Sequence, residues 1–188
     1  MKKISLLALF LLGSMSYNAT FAQEKVITRG IEVATNGYMP EVGVMAPDFS
    51  ATDKNMNEVN LSSFRGKKVV LNIFPSLDTP TCALSVRQFN AEAASLENTV
   101  VLCISKDLPF AQSRFCSVEG LDRVIPLSVF RSESFDNSYG LIITEGPLRG
   151  LATRAVIVLD ESGKVIYRQI IRNVSEEPDY RSAVEILK

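Results

Sequence analysis

The chain alternates short apolar runs with polar, helix-forming segments, and two of the runs frame its centre. Lys68-Val69-Val70-Leu71-Asn72-Ile73-Phe74 is a β-rich run ended by Pro75, and Thr99-Val100-Val101-Leu102-Cys103-Ile104-Ser105 is apolar on both faces, the mark of a central strand. Between them a helix is expected from Pro80 to about Glu97. Strand, helix and strand in that order make a βαβ unit with parallel strands and a right-handed connection.

The pattern then predicts a second helix over Leu108–Val118, a strand or extended segment over Val124–Phe130, and a helical turn at Phe135–Tyr139 ended by Gly140. Ala155–Asp160 turns through Glu161-Ser162-Gly163 into Lys164–Ile170 as a β-hairpin, and a last helix lies near Pro178–Leu187. Towards the N-terminus, Glu24–Thr52 reads as short strands separated by turns. Lys25–Thr28 and Ile31–Ala34 bracket Arg29-Gly30 as a hairpin, and Asn36-Gly37 marks a tight turn. The βαβ unit, terminal hairpin and last helix predict an α/β protein, a thioredoxin-like fold whose central mixed sheet is flanked by helices and preceded by an N-terminal β-hairpin.

The first 22 residues are of another kind. Lys2-Lys3, an apolar run from Ile4 to Gly13 and Thr20-Phe21-Ala22 have the form of a secretory signal peptide cleaved after Ala22, with a run too short to span a bilayer. Residues 23–188 are then one domain, exported and expected in the periplasm, without stable membrane insertion once the signal is removed. Twenty basic residues against twenty-one acidic ones leave no footprint for nucleic acid. Histidine is absent, which excludes Ser-His-Asp and Cys-His activation and every imidazole metal site. Neither metal nor cofactor is expected.

The chemistry therefore falls to cysteine. Thr79 stands where a helix N-cap belongs and Pro80 at the first helical position, so Cys82 lies in the first turn, where free backbone N–H groups and the helix dipole favour a thiolate. A small buried hydrophobe is the alternative, against which stand the polar neighbours Ser76, Asp78, Thr79 and Thr81. No two of the three cysteines form a Cys-x-x-Cys pair, which weighs against a zinc site, a thioredoxin-type oxidoreductase and a disulfide isomerase. Cys103, inside the apolar strand, reads as a structural core residue. Cys116 lies near a helix end marked by Gly120, and the residues alone leave its role open. Arg154 opens an apolar strand, a costly place unless it faces an anion or polar pocket, although its head could also reach water.

The motif Pro75-x-x-x-Thr79-x-x-Cys82 resembles the active-site signature of the peroxiredoxins, and Ala83–Asn90 is similar to the thiol peroxidase subfamily. The resemblance runs from about Val42 to Leu187, with Pro80-Thr81 in place of the more usual Gly-Val. It implies that Cys82 is the peroxidatic cysteine, that Cys116, in a segment Asp107–Cys116 like the resolving-cysteine helix, closes an intramolecular Cys82–Cys116 disulfide, and that Pro75, Thr79 and Arg154 complete the site. The implied activity is thiol-dependent reduction of hydrogen peroxide and organic hydroperoxides, recycled by a thioredoxin-like reductant, in a homodimer. The alternative is a thioredoxin-fold redox sensor or binding module without turnover. Because the two cysteines fall on separate helices, oxidation is expected to unwind the helix ends locally.

Overall fold

The computed structural model describes residues 23–188, with the predicted βαβ unit at its centre. Strand β5 (Lys68–Ile73) pairs in parallel with β6 (Thr99–Ser105), and helix α1 (Pro80–Glu92) connects them. Strand β7 (Val124–Ser128) continues the sheet in parallel beyond β6. On the other side β8 (Ala155–Leu159) runs antiparallel to β5, and β9 (Val165–Ile170) returns beside it. A short hairpin of β3 (Ser50–Thr52) and β4 (Glu58–Asn60) completes a seven-stranded mixed sheet in the order β4-β3-β7-β6-β5-β8-β9. The predicted N-terminal hairpin, β1 (Lys25–Thr28) and β2 (Ile31–Ala34), forms a separate pair. Helices α2 (Pro109–Glu119), α3 (Glu133–Tyr139) and α4 (Tyr180–Glu185) complete the thioredoxin-like arrangement that the sequence predicts.

Alternation along the strands divides the core into two layers. Leu71, Ile73, Leu102, Ile104 and Ile157 face Phe49 and the α3 residues Phe135 and Tyr139, with Phe49 set edge-on to both rings. Val70, Val101, Cys103, Val156 and Val158 face the other way, onto Cys82, Val86 and Phe89 of α1 and Ala183 of α4. Cys82 is thus built into a packed layer. Truncating its neighbour Phe89 to alanine would cost about 3–5 kcal/mol and loosen the layer that holds it.

Several boundaries differ from the predicted ones. Helix α1 stops at Glu92, short of Glu97. A 3-10 turn over Ala93–Ser95 tightens the end, and Asn98, at φ +49°, turns the chain into β6. Strand β7 ends at Ser128 rather than Phe130, and α4 begins after the N-cap Asp179, which accepts from Ser182 N at 3.0 Å, so Pro178 lies outside it. Helix α3 starts two residues before Phe135, capped by Ser132. Strand β4 has no counterpart in the sequence reading, because its three residues, Glu-Val-Asn, are too few to set a period. The expected signal peptide, residues 1–22, lies outside the described residues.

One feature of the fold bears directly on the site. The chain after β9 runs beside β1: Ile27 N donates to Arg172 O at 2.6 Å and Val174 N to Ile27 O at 3.0 Å. Val26, Val33, Ile143 and Val174 pack behind this seam. The N-terminal hairpin thereby fixes the position of the Val174 carbonyl.

Candidate active site

Strand β5 gives way to a loop whose shape is set from the neighbouring strand. Asp107, just past the end of β6, accepts from Ser76 Oγ at 2.7 Å and from Leu77 N at 2.8 Å, and Ser105 Oγ donates to the same carboxylate at 2.8 Å. Thr79 follows with the extended φ and ψ of an N-cap, and its carbonyl accepts from Ala83 N at 3.0 Å. Its hydroxyl does not cap the helix, contrary to the usual role of threonine there. It turns back to donate to Ser76 O at 3.1 Å, which keeps it beside the loop and out of the helix end. Pro80 occupies the first turn as expected, and Thr81 Oγ1 donates to Ser175 O at 3.2 Å.

Cys82 is fully buried, as the packed reading of this residue expects. Arg154 Nη2 donates to its sulfur at 3.2 Å, although 72 residues of chain separate the two. Arg154 is itself only 1% exposed, and its Nε donates to Val174 O at 3.0 Å. Its Nη1 is buried with no partner among the described residues. Burying a guanidinium costs several kcal/mol unless polar partners offset it, and the partners here are the Cys82 sulfur and the Val174 carbonyl. The expectation that Arg154 faces an anionic or polar site is met.

A cavity of about 230 Å³ opens onto this group. Pro75, Thr79, Pro80 and Arg154 line it, together with Leu148, Leu151, Val174 and Ser175 and with Thr28 and Arg29 of the N-terminal hairpin. The structure thus brings together four of the five predicted residues, Pro75, Thr79, Cys82 and Arg154. Ser85 Oγ donates to Cys82 O at 2.9 Å, and Asn72, buried on β5, donates to Ser85 Oγ at 3.3 Å and to Cys103 Sγ at 3.8 Å. Burial pushes the Cys103 thiol well above its ordinary range, which suits an inert core residue.

Cys116 stands apart. It lies in the last turn of α2, and its carbonyl accepts from Leu121 N at 2.9 Å beyond the left-handed Gly120, as the predicted helix stop requires. It lines a different cavity, of about 770 Å³, with Lys54, Ser117 and Val124. Burial raises its pKa while the Lys54 charge acts in the opposite sense. All three cysteines are free thiols. Helices α1 and α2 are joined at the surface, where Arg87 Nε and Nη2 bond Glu119 at 2.8 and 2.9 Å and the guanidinium lies 5.7 Å from the Phe115 ring centre.

Sequence reasoning did not find Asp107, the Val174 carbonyl or Tyr180. Tyr180, on α4, sets its ring edge-on to Phe89, and burial raises its pKa, with Glu177 acting in the same sense and the nearby Arg154 charge opposing it. Only Asp107 carried a signal: a carboxylate at the C-terminal end of a central parallel strand, where sites in such sheets gather.

A thioredoxin-like sheet that sets a helix-start cysteine against a buried arginine defines a cysteine-based redox protein. The chain belongs to the Redoxin family, whose model matches residues 41–184. It is similar to the thiol peroxidase of Corynebacterium glutamicum, with 53% identity over 159 residues that cover 85% of this chain and 96% of that protein. Among solved structures it is similar to a peroxiredoxin-like protein from Aquifex aeolicus, at 36% identity and a TM-score of 0.82, covering 87% of this chain and 95% of the other. A thiol peroxidase from Chromobacterium violaceum matches with 25% identity and a TM-score of 0.80 over the same shares.

Proposed function

We propose that this protein is a thiol peroxidase that reduces hydrogen peroxide and organic hydroperoxides at Cys82. The observation that carries the reading is the Arg154 guanidinium, which holds the Cys82 sulfur with one nitrogen and keeps a second, Nη1, unpaired beside the cavity. The thiolate attacks the distal peroxide oxygen, and the O–O bond breaks as the S–O bond forms. Arg154 Nη1 is a donor for the peroxide oxygens, where charge builds up on the leaving group, and the Thr79 hydroxyl, whose proton goes to Ser76 O, accepts from the peroxide O–H and orients it. Pro75, buried beneath the loop, keeps water from the sulfur. The leaving oxygen takes a proton and departs as water or an alcohol, and Cys82 is left as a sulfenic acid.

Cys116 then condenses with that sulfenic acid, releasing water and forming a Cys82–Cys116 disulfide, which a thioredoxin-like reductant reopens by thiol–disulfide exchange. Residues 1–22 direct export, so the reductant belongs to the same compartment, the periplasm. Assembly as a homodimer is part of this reading, supported by the exposed apolar side chains of Leu108, Phe110 and Val118 at the two ends of α2.

NADPH-coupled peroxide turnover with a thioredoxin system tests the whole cycle. Cys82→Ser is expected to abolish it, Cys116→Ser to permit one oxidation with poor recycling, and Cys103→Ser to retain most activity. Stoichiometric oxidation of the wild type without turnover would instead make the protein a sensor, and a folded but inactive Cys103→Ser would overturn the division among the cysteines.

A further inference from the structure

The N-terminal hairpin brings to the Cys82 cavity a cation that the chemistry at the sulfur does not use. Arg29 lines the cavity beside Thr28, is exposed, and makes no hydrogen bond or ion pair among the described residues. The neighbouring carboxylate of Glu32 is already engaged by Lys25 at 3.1 Å and by Arg172 at 2.7 Å. Thr28 is 1% exposed, and its hydroxyl has no partner among the described residues.

The backbone singles out the same residue. Arg29 and Gly30 have φ of +50° and +79°, the left-handed pair of a two-residue hairpin turn, where asparagine before glycine is the favoured choice. Arginine is strained in that conformation, and its presence at the cavity in place of a residue suited to the turn points to a use for its side chain. Besides the two arginines the cavity is lined by the apolar side chains of Leu148, Leu151, Val174 and Pro80 and by the hydroxyl residues Ser76, Thr79, Thr81 and Ser175. Hydrogen peroxide needs neither apolar walls nor an outer cation. An organic hydroperoxide with an anionic group along its carbon chain would use both.

Resting on the peroxidase reading above, we propose that Arg29 is a specificity-determining residue that selects hydroperoxides carrying a carboxylate. The peroxide lies against Cys82 and Arg154, the carbon chain runs along Leu148, Leu151 and Val174, and the carboxylate meets the Arg29 guanidinium. Thr28 Oγ1 is a donor along the same path. The bond changes are unaltered: the Cys82 sulfur bonds to the distal oxygen and is oxidised, the O–O bond breaks, and the alkoxide takes its proton from solvent. Arg29 changes which hydroperoxide arrives and does not touch the reacting atoms.

The test compares kcat/KM for linoleic acid hydroperoxide and its methyl ester, which lacks the charge and adds one methyl group, with hydrogen peroxide and tert-butyl hydroperoxide as references. Wild type is expected to favour the free acid by up to about fivefold, the scale of an exposed charge pair, and the preference is expected to shrink as salt is added. Arg29→Asn separates the side chain from the backbone, because asparagine suits the turn and should fold at least as well while lacking the guanidinium. That variant is expected to lose the acid preference, keep its rates with both references, and show an equal or higher Tm. Equal wild-type rates with acid and ester, while hydrogen peroxide is still turned over, would overturn this inference alone. The same holds if Arg29→Asn slows all four substrates alike. Failure of the wild type to turn over any hydroperoxide would remove the peroxidase reading and this inference with it.

Discussion

Arg154 Nη2 lies 3.2 Å from the Cys82 sulfur, and the same guanidinium is held from behind by the Val174 carbonyl, at 3.0 Å from Nε. The two contacts leave it little freedom, so its remaining N–H groups are aimed before any substrate arrives. Such preorganised donors act most strongly in sites closed to water.

Replacing that guanidinium should therefore separate reactivity from stability. Losing one preorganised donor costs about 2.7–4 kcal/mol in acyl-transfer sites, so Arg154→Met is expected to slow peroxide attack at least tenfold. Methionine removes a buried charge without opening a large cavity, so the urea midpoint is expected to hold or rise. An unchanged second-order rate with peroxide would remove Arg154 from the mechanism.

Asp107 tests whether the loop before Cys82 needs its anchor. Asp107→Ala deprives Ser76 Oγ and the buried Leu77 N–H of their acceptor, and an unpaired buried donor costs about 1–3 kcal/mol. Thr79 hangs from the same loop through Ser76 O, so peroxide attack should slow together with the loss in stability, and Asp107→Asn should restore part of both. A destabilised variant with the wild-type attack rate would show that the anchor serves the fold alone.

The Arg87–Glu119 pair ties α1 to α2, the two helices that the proposed Cys82–Cys116 disulfide would have to bring together. Oxidation is expected to lower amide protection in residues 79–85 and 110–120 and to leave the sheet protected, as read by hydrogen exchange on the two redox forms. Arg87→Ala should bring part of that loosening to the reduced protein and speed disulfide formation after a single peroxide pulse. Arg87 holds the Glu119 carboxyl below its ordinary value of 4.5. The contribution is therefore present above that value and lost as pH falls through the lowered folded one. Glu119→Gln should lack that acid-side loss. Equal protection of both segments in the two redox forms would mean that the sulfurs meet without unwinding.

Export is checked on the mature protein. N-terminal sequencing is expected to begin at Gln23, and fractionation to place the protein outside the inner membrane. An intact Met1 on cytoplasmic protein would contradict the reading of residues 1–22.

What the sequence determined by itself lies within short reach along the chain. The helix start at Thr79-Pro80, the stop at Gly120, the parallel strands around Cys82 and the hairpin at Arg29-Gly30 all follow from local conformational preference and apolar period, and each is present. Cys103 could be assigned to the core because its neighbours on both sides are apolar. What only the tertiary structure decided is which distant groups meet. Strand β8 lies antiparallel to β5 with Ala155 opposite Ile73, and this register carries Arg154 just past the end of β5, where the chain turns towards Cys82. No local preference encodes that alignment. It arises because Ile73, Ala155 and Ile157 have to face one layer while Val70, Val156 and Val158 face the other, and a slip of one residue would exchange the two. Asp107 and Val174 acquire their roles in the same way, as polar groups that packing of the sheet and hairpin leaves beside a buried sulfur and its arginine.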